Sequence, residues 1–210
     1  MSNFRRINSI GITVLLSVFV LLNCTKEVGK NDLVERNGLR YEINSNDPFS
    51  GKQVYHFRNG QKGAEKMFDN GKLDGISKFW YENGQQKAIA EYKSGELHGT
   101  SEIWYEDGQL KEKVEYDEGK FDGTYEMWYT NGQKETVAEF SNHQFDGYVK
   151  EWYMSGELKS QIEWSDGEKD GTSKTWHENG QLKEKAKYDN GELDGPAKRW
   201  SEEGKRLSDR

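Results

Sequence analysis

The sequence contains little cysteine, little proline and few hydrophobic residues. Its 210 residues include one cysteine and two prolines, and 32% of them are hydrophobic. A chain with one cysteine forms no internal disulfide. The low hydrophobic fraction excludes one thick globular core, so the apolar residues must be concentrated in a few recurring positions.

Aromatic residues, in contrast, are abundant. Seven Trp, eleven Tyr and nine Phe provide large packing surfaces, which excludes a disordered chain despite the high charge content. The formal net charge is -7, and Lys and Glu are interspersed as on a solvated sheet face. Because a protein that follows a phosphate backbone needs a basic stripe, we expect no nucleic-acid partner.

The N-terminal segment has the composition of an export signal. Arg5 and Arg6 precede an apolar run from Ile10 to Leu22, and Cys24 follows closely. The run is shorter than the roughly 20 residues that a membrane-spanning helix needs. We therefore predict that residues 1–23 are a signal peptide that takes no part in the fold.

Leu21-Leu22-Asn23 directly before Cys24 resembles the lipobox of bacterial lipoproteins. The resemblance implies cleavage before Cys24 and acylation of that cysteine, which would anchor the chain to a membrane of the bacterial cell envelope, on the periplasmic or the surface side. The alternative is a secretory signal that has a cysteine near its end by chance.

Residues 24–47 are expected to form a tether and an N-terminal cap strand. The segment from Thr25 is polar at first, and Leu39, Tyr41 and Ile43 then alternate with Arg40 and Glu42. Such alternation is typical of one β-strand. Since terminal repeats are usually degenerate, this strand should cap the structure that follows.

A 24-residue repeat dominates the rest of the chain. One glycine column consists of Gly51, Gly75, Gly99, Gly123, Gly147, Gly171 and Gly195, and a second of Gly60, Gly84, Gly108, Gly132, Gly156, Gly180 and Gly204. The same period holds for Trp80, Trp104, Trp128, Trp152, Trp176 and Trp200, and for Phe68, Tyr92, Tyr116, Phe140, Trp164 and Tyr188. Residues 48–207 therefore contain six full repeats and a partial seventh.

Each repeat is predicted to be a β-hairpin. Two short alternating segments flank a dipeptide such as Asn83-Gly84 or Asp107-Gly108, which favours a two-residue type I′ turn. A second turn, at Gly95 or Gly119 in successive repeats, is expected to be longer, and His143 in place of glycine should alter one copy of it. The predicted fold class is an all-β, elongated sheet of tandem hairpins whose stability depends on neighbouring units.

The sequence contains no catalytic constellation, so we expect no enzyme activity and no cofactor. There is no G-x-S-x-G motif and no phosphate-binding glycine loop before a helix. The four histidines occupy different repeat columns, which argues against a metal site. The Asp-Gly turns provide one carboxylate each, too few for Ca²⁺, and the column of Glu91, Glu115, Glu139 and Glu163 is expected to be a solvated face.

Trp80, Trp104, Trp128, Trp152, Trp176 and Trp200 form the candidate binding surface, because a row of indoles can hold a partner protein or stack on sugars. The alternative is that these tryptophans are the core of the sheet. Gly84, Gly108, Gly132, Gly156 and Gly180 are expected to be structural turn residues. Without a cluster of ligating side chains, no metal site is predicted.

The repeat D-G-T-x-x-x-W-Y-x-N-G-Q-x-K, continued by Y-x-x-G-x-x-D-G, resembles the MORN-repeat variant of the YwqK family, whose members are described as antitoxin components. The resemblance covers Pro48 to about Leu207 and includes Pro48-Phe49-Ser50-Gly51. It implies a hairpin-repeat scaffold without catalytic residues that binds a protein partner, with a toxin as one candidate. The alternative function is binding of cell-envelope glycans through the aromatic ladder.

Overall fold

A computed structural model describes residues 26–208 of the chain. The predicted signal peptide and Cys24 lie outside the described residues. The strands are β1 Glu27–Gly29, β2 Leu33–Arg36, β3 Leu39–Glu42, β4 Gly51–His56, β5 Lys62–Asp69, β6 Lys72–Leu73, β7 Gly75–Trp80, β8 Gln86–Lys93, β9 Glu96–Trp104, β10 Leu110–Asp117, β11 Lys120–Trp128, β12 Lys134–Ser141, β13 Gln144–Phe145, β14 Gly147–Trp152, β15 Leu158–Ser165, β16 Glu168–Trp176, β17 Leu182–Asp189, β18 Glu192–Leu193 and β19 Lys198–Arg199. One 3₁₀ turn covers Lys30–Asp32. No helix among residues 26–208 is both long and apolar enough to cross a membrane.

The strands from β4 to β19 form one continuous antiparallel meander. The long strands pair with their neighbours in the chain, as β10 does with β9 and β11. The two-residue strands β6, β13 and β18 each pair with the strand before them, which also pairs with the strand that follows. At the N-terminal edge, β1 pairs in parallel with β4, while β2 and β3 form a separate hairpin. The prediction of an all-β sheet of tandem hairpins with a 24-residue period is confirmed.

The Asn-Gly and Asp-Gly turns are longer than predicted. In the third full unit, the N–H of Tyr105 donates to the carbonyl of Gln109, and the N–H of Gly108 donates to Tyr105. Gly108 has a φ of +88°, whereas Asp107 is not among the residues of positive φ. This is a three-residue loop, a type I turn followed by a left-handed glycine, so the predicted type I′ assignment is wrong for this turn.

The type I′ geometry occurs at the other turn instead. Asp117 pairs with Lys120, and both intervening residues have positive φ, 45° at Glu118 and +78° at Gly119. The predicted longer return turn is therefore a tight two-residue turn. His143, with a φ of 71°, adopts the same conformation as the glycines, so the predicted alteration of that copy is also wrong.

Successive units are joined at their turns as well as along their strands. At the tight turn, the N–H of Gly119 donates to the carbonyl of Leu97 in the preceding unit at 2.9 Å. At the opposite edge, the side-chain amide of Asn83 donates to the carbonyl of Glu106 in the following unit at 3.0 Å. Both edges of the meander are thus ladders of stacked turns, and each unit depends on its neighbours.

Glutamates of the glutamate column stabilise a bulge that recurs between β8 and β9, β10 and β11, and β15 and β16. Between β10 and β11 the register shifts after Val114, so that Tyr116 next pairs with Phe121. The Glu115 carboxylate accepts the N–H of Thr124 at 2.7 Å and lies against Gly123, whose φ is +109°. The expectation that this column is only a solvated face is therefore wrong at Glu115.

From β7 onwards, the buried side chains of the meander lie on one face and are small. They include Ser77, Ala90, Val114, Ala138, Ser160, Ser173 and Ala186. Larger aromatic side chains extend this face towards the tight turns, where Phe121 contacts Tyr116, Tyr125 and Phe140 with ring centroids 5.1 to 6.2 Å apart. The core of the array is thus built without the periodic tryptophans.

The N-terminal segment is a folded cap and not a polar tether. The predicted strand at Leu39 is present as β3, but β1, the 3₁₀ turn and β2 precede it. Leu33 and Phe49 pack with Phe68 of the first unit in a buried cluster. The apolar residues of this segment are too widely spaced to show a period in the sequence, yet together they cover the end of the stack.

Candidate binding surface

The six periodic tryptophans form a row along one edge of the sheet, which we call the tryptophan row. Five of them end β7, β9, β11, β14 and β16, and Trp200 follows β19. Trp104, Trp152 and Trp176 pair across the sheet with Leu110, Leu158 and Leu182. All six are half-buried and none belongs to the buried core. The row is therefore an apolar band that water still reaches.

Tyrosines of the preceding unit position the tryptophan row. The hydroxyl of Tyr105 donates to the backbone carbonyl of Trp128 at 2.8 Å. Tyr81, Tyr129 and Tyr153 make the same bond to Trp104, Trp152 and Trp176, and a His177 ring nitrogen lies 3.0 Å from the carbonyl of Trp200. This role was not anticipated from the sequence, although a tyrosine follows four of the six tryptophans with the same period.

Lysines lie over two of the indoles. The Lys62 ammonium is 5.3 Å from the ring centroid of Trp80, and the Lys134 ammonium is 5.9 Å from that of Trp128. Lys134 is held there by Glu126, whose carboxylate is 2.6 Å from the ammonium. In the N-terminal half of the row, the lysines beside the indoles are therefore paired with nearby glutamates, Lys62 with Glu65 and Lys134 with Glu126.

The C-terminal part of the same face carries a row of lysines. Lys150 and Lys174 both pair with Gln161, Lys174 pairs with Lys185, and Lys185 pairs with Lys198. Lys174 precedes Trp176 by two residues in β16, so the two side chains share a face. We call Lys150, Lys174, Lys185 and Lys198 the lysine row.

The lysine row places like charges directly opposite each other, which destabilises a sheet by roughly 0.2 to 1 kcal/mol per pair. The corresponding positions of the two central units hold Glu102 and Glu126, which lie beside Lys113 and Lys134. Nearer the N-terminus, Lys78 at the same position pairs with Glu65. The expected interspersion of Lys and Glu thus fails only in the C-terminal units. The lysine row was not predicted from the sequence, because its members lie 11 to 24 residues apart on separate strands.

The remaining predicted site residues are dispersed. Each predicted turn glycine has a φ between +81° and +93° and lies in a type I turn. His98 lies 3.1 Å from Asp117, and His177 occupies a tyrosine position. Within residues 26–208, no three His, Cys, Asp or Glu side chains are grouped as metal ligands would be. Asp74, which belongs to one of the Asp-Gly turns considered for Ca²⁺, accepts the N–H of Ser94 at 2.9 Å.

These features define a tandem β-hairpin repeat module with a row of half-buried tryptophans along one edge. Four stretches of it, residues 73–94, 97–118, 121–142 and 169–190, match the family model described as MORN repeat variant. MORN repeats are repeat and binding modules, and they are not known as an enzyme family. No curated protein matches the chain.

Proposed function

We propose that this protein is a lipid-anchored, non-enzymatic scaffold of the bacterial cell envelope that binds a partner protein along its tryptophan row. The observation that carries the proposal is the half-burial of all six indoles on one face. Buried small residues on the opposite face already form the core. The exposed indole area is thus available to a partner, and Trp is one of the three residue types enriched at binding hot spots.

The charge beside the row supports an acidic partner segment. Lys150, Lys174, Lys185 and Lys198 carry like charges next to one another, at a cost to stability that an acidic partner would offset. Their side chains flank Trp152, Trp176 and Trp200, so apolar and anionic groups of one partner would be held together. An immunity-type role is a narrower form of this proposal, in which the partner is a toxin.

Site-specific photocrosslinking in intact cells tests the binding face. A photoreactive residue at Lys185 lies on the proposed face, and one at Glu184, the neighbouring residue of β17, lies on the other. We expect a discrete protein adduct from position 185, its loss when Trp152 and Trp176 are changed to Ala, and no such adduct from position 184. Equal adducts at both positions, or an adduct that survives both substitutions, would exclude the tryptophan row.

Two further experiments separate the alternative functions. Glycan binding predicts retention of the purified protein on peptidoglycan or polysaccharide, which Trp128→Ala and Trp152→Ala should abolish. If the protein adduct is found, expression of the captured partner without this chain shows whether it is toxic. Normal growth of those cells would remove the immunity role while leaving the scaffold in place.

The anchor is tested separately by intact mass. Lipidation supposes loss of residues 1–23 and a lipid-sized mass increase that is absent from Cys24→Ser. Only Thr25 separates Cys24 from the first described residue, and β1 begins at Glu27. An acylated chain would therefore hold its folded cap directly at the membrane surface. An unmodified mass in the membrane fraction would refute the anchor.

A further inference from the structure

The first unit has a lysine where the other units have a core residue. Lys66 occupies the repeat position of Ala90, Val114, Ala138, Ile162 and Ala186, and four of these five are at most 6% exposed. A cation at such a position loses hydration, and no carboxylate offsets this loss at Lys66 among the ion pairs of the described residues. The substitution therefore needs an explanation other than stability.

Lys66 lines a cavity of about 520 Å³ between the cap and the first units. Lys30 enters it from the 3₁₀ turn, Arg40 from β3 and Lys72 from β6, above a floor that includes buried Phe68. We call these four cations the cationic pocket. The cap thus brings together charges from four separate elements in a chain whose net charge is -7.

The charges of the cationic pocket are incompletely neutralised. Glu35 lies 2.9 Å from the Arg40 guanidinium, and Glu96 is the second carboxylate of the lining, so four cations face two anions. The Lys30 ammonium lies 4.7 Å from the ring centroid of Tyr55, and that of Lys66 lies 5.6 Å from the centroid of Phe79. Burial lowers the pKa of Lys66, and the neighbouring charges of Arg40 and Lys30 lower it further.

We propose that the cationic pocket binds the phosphate group of a small anionic molecule. A phosphate monoester carries up to two negative charges near neutral pH, which matches the two positive charges in excess. Lysine ammoniums and an arginine fork are the side chains that bind phosphate best. The volume is within the range of pockets for small ligands. The site is independent of the tryptophan row, so either proposal can fail alone.

Calorimetry with inorganic phosphate tests the pocket. The mature chain should bind phosphate, and Lys66→Ala should weaken that binding by about tenfold or more, since hydrogen bonds to charged groups contribute about 1.5–3 kcal/mol. Lys66→Ala restores the residue of the equivalent positions 90, 138 and 186, so it should fold. Lys113→Ala, a lysine of the opposite face next to Glu102, should leave the affinity unchanged.

The source of the phosphate is tested with vesicles. Binding of glycerol phosphate in solution would indicate a soluble ligand. Binding only to phosphatidylcholine vesicles that contain phosphatidic acid, lost in Lys66→Ala, would indicate a lipid headgroup at the membrane-proximal cap. If neither probe binds, or if Lys66→Ala and Lys113→Ala weaken binding equally, the cationic pocket is not a phosphate site.

A stability measurement provides an independent readout. Because the pKa of Lys66 is lowered on folding, its protonated form destabilises the fold, and this penalty fades as the pH rises towards the ordinary value of 10.5. Without phosphate, Lys66→Ala should therefore be more stable than wild type at neutral pH, and the difference should shrink at high pH. Added phosphate should stabilise wild type and not the variant. Equal stabilisation of both would overturn the proposal.

Discussion

The carboxylate of Glu115 accepts a hydrogen bond from the N–H of Thr124 at 2.7 Å, across the bulge that contains Gly123. The bond satisfies a backbone donor that the register shift leaves without a strand partner. Glu163 makes the same bond to Thr172 at 3.1 Å. A side chain that resembles a surface charge in sequence is therefore part of the backbone hydrogen bonding of these two units.

Replacing Glu115 should destabilise the fold. Glu115→Ala leaves the half-buried N–H of Thr124 without its acceptor, at an expected cost of about 1–2 kcal/mol in the free energy of unfolding. Urea denaturation measures the loss. Glu106→Ala, in an exposed turn, is the matched control and should change stability by less than about 0.5 kcal/mol. Equal effects at the two positions would show that the bond contributes nothing.

Gly123 should tolerate alanine less well than Gly195. Both have positive φ, +109° and +82°, so Ala at either position costs roughly 1–3 kcal/mol of backbone strain. At Gly123 a Cβ would also meet the Glu115 carboxylate, whereas nothing lies within 4 Å at Gly195. Chemical denaturation of both variants should therefore show the larger loss at Gly123. A loss at Gly195 as large as that at Gly123 would contradict the steric account.

Ser77→Ala should stabilise the protein. Ser77 is 0% exposed, and its hydroxyl has no hydrogen-bond partner among the described residues. Removing a buried, unpaired hydroxyl should raise the free energy of unfolding by about 1 kcal/mol. Ser160, also buried, donates to Glu151 at 3.2 Å, and Ser160→Ala should lower stability in the same thermal or urea scan. A loss of stability in Ser77→Ala would contradict this prediction.

His143 should be replaceable by glycine but not by alanine. Its φ of 71° costs a side chain about 1–2 kcal/mol, but the imidazole stacks on Phe121 at 4.7 Å and its Nδ1 accepts the N–H of Phe121. Alanine keeps the strain and loses both contacts, whereas glycine also removes the strain. Unfolding experiments should rank stability as wild type, His143→Gly and His143→Ala. A glycine variant no more stable than alanine would mean that the turn is unstrained.

Tyr125 should ionise last among the tyrosines and limit stability at high pH. Burial raises the pKa of Tyr125 to about 12, with further contributions from Glu112 and Glu135. A phenol whose pKa is raised on folding contributes stability below the unfolded value of 10.0, and this stability is lost as the pH rises through about 12. Ultraviolet titration of Tyr125→Phe should lack the last phase, and its alkaline unfolding should move to higher pH. Tyr148→Phe, at an exposed position, should retain that phase.

The sequence predicts the fold well because the repeat gives the same information several times. Glycine and tryptophan at a fixed period identify the hairpins, the strand order and the unit length. The assignment of turn types failed because both kinds of turn contain a polar residue followed by glycine, as in Asn83-Gly84 and Asn190-Gly191. Asn83 does not adopt the left-handed backbone conformation. It is favoured because its Oδ1 accepts the N–H of Gln85 and its side-chain amide donates to the carbonyl of Glu106 in the next unit.

The surface features were less predictable, since they depend on which strands become neighbours. Lys174 and Lys185 are directly paired although 11 residues separate them, and the lysine row therefore has no local signature. Lys66 and Arg40 likewise line the same pocket only because the cap packs against the first unit. Departure from the repeat consensus at position 66 was nevertheless visible in the sequence, and such departures locate sites in an otherwise uniform array.

The hydrogen bonds between turns fix the lengths at which such a chain can grow or shrink. Gly119 bonds to Leu97 and Asn83 to Glu106, so a tight turn must follow a tight turn, and a wide one a wide one, along each edge. Loss or duplication of 24 residues preserves this order and rebuilds every such junction. Loss or gain of a single strand of about 12 residues would instead place a tight turn next to a wide one on the same edge. The array can thus change its reach in whole repeats during evolution, and its face remains continuous each time.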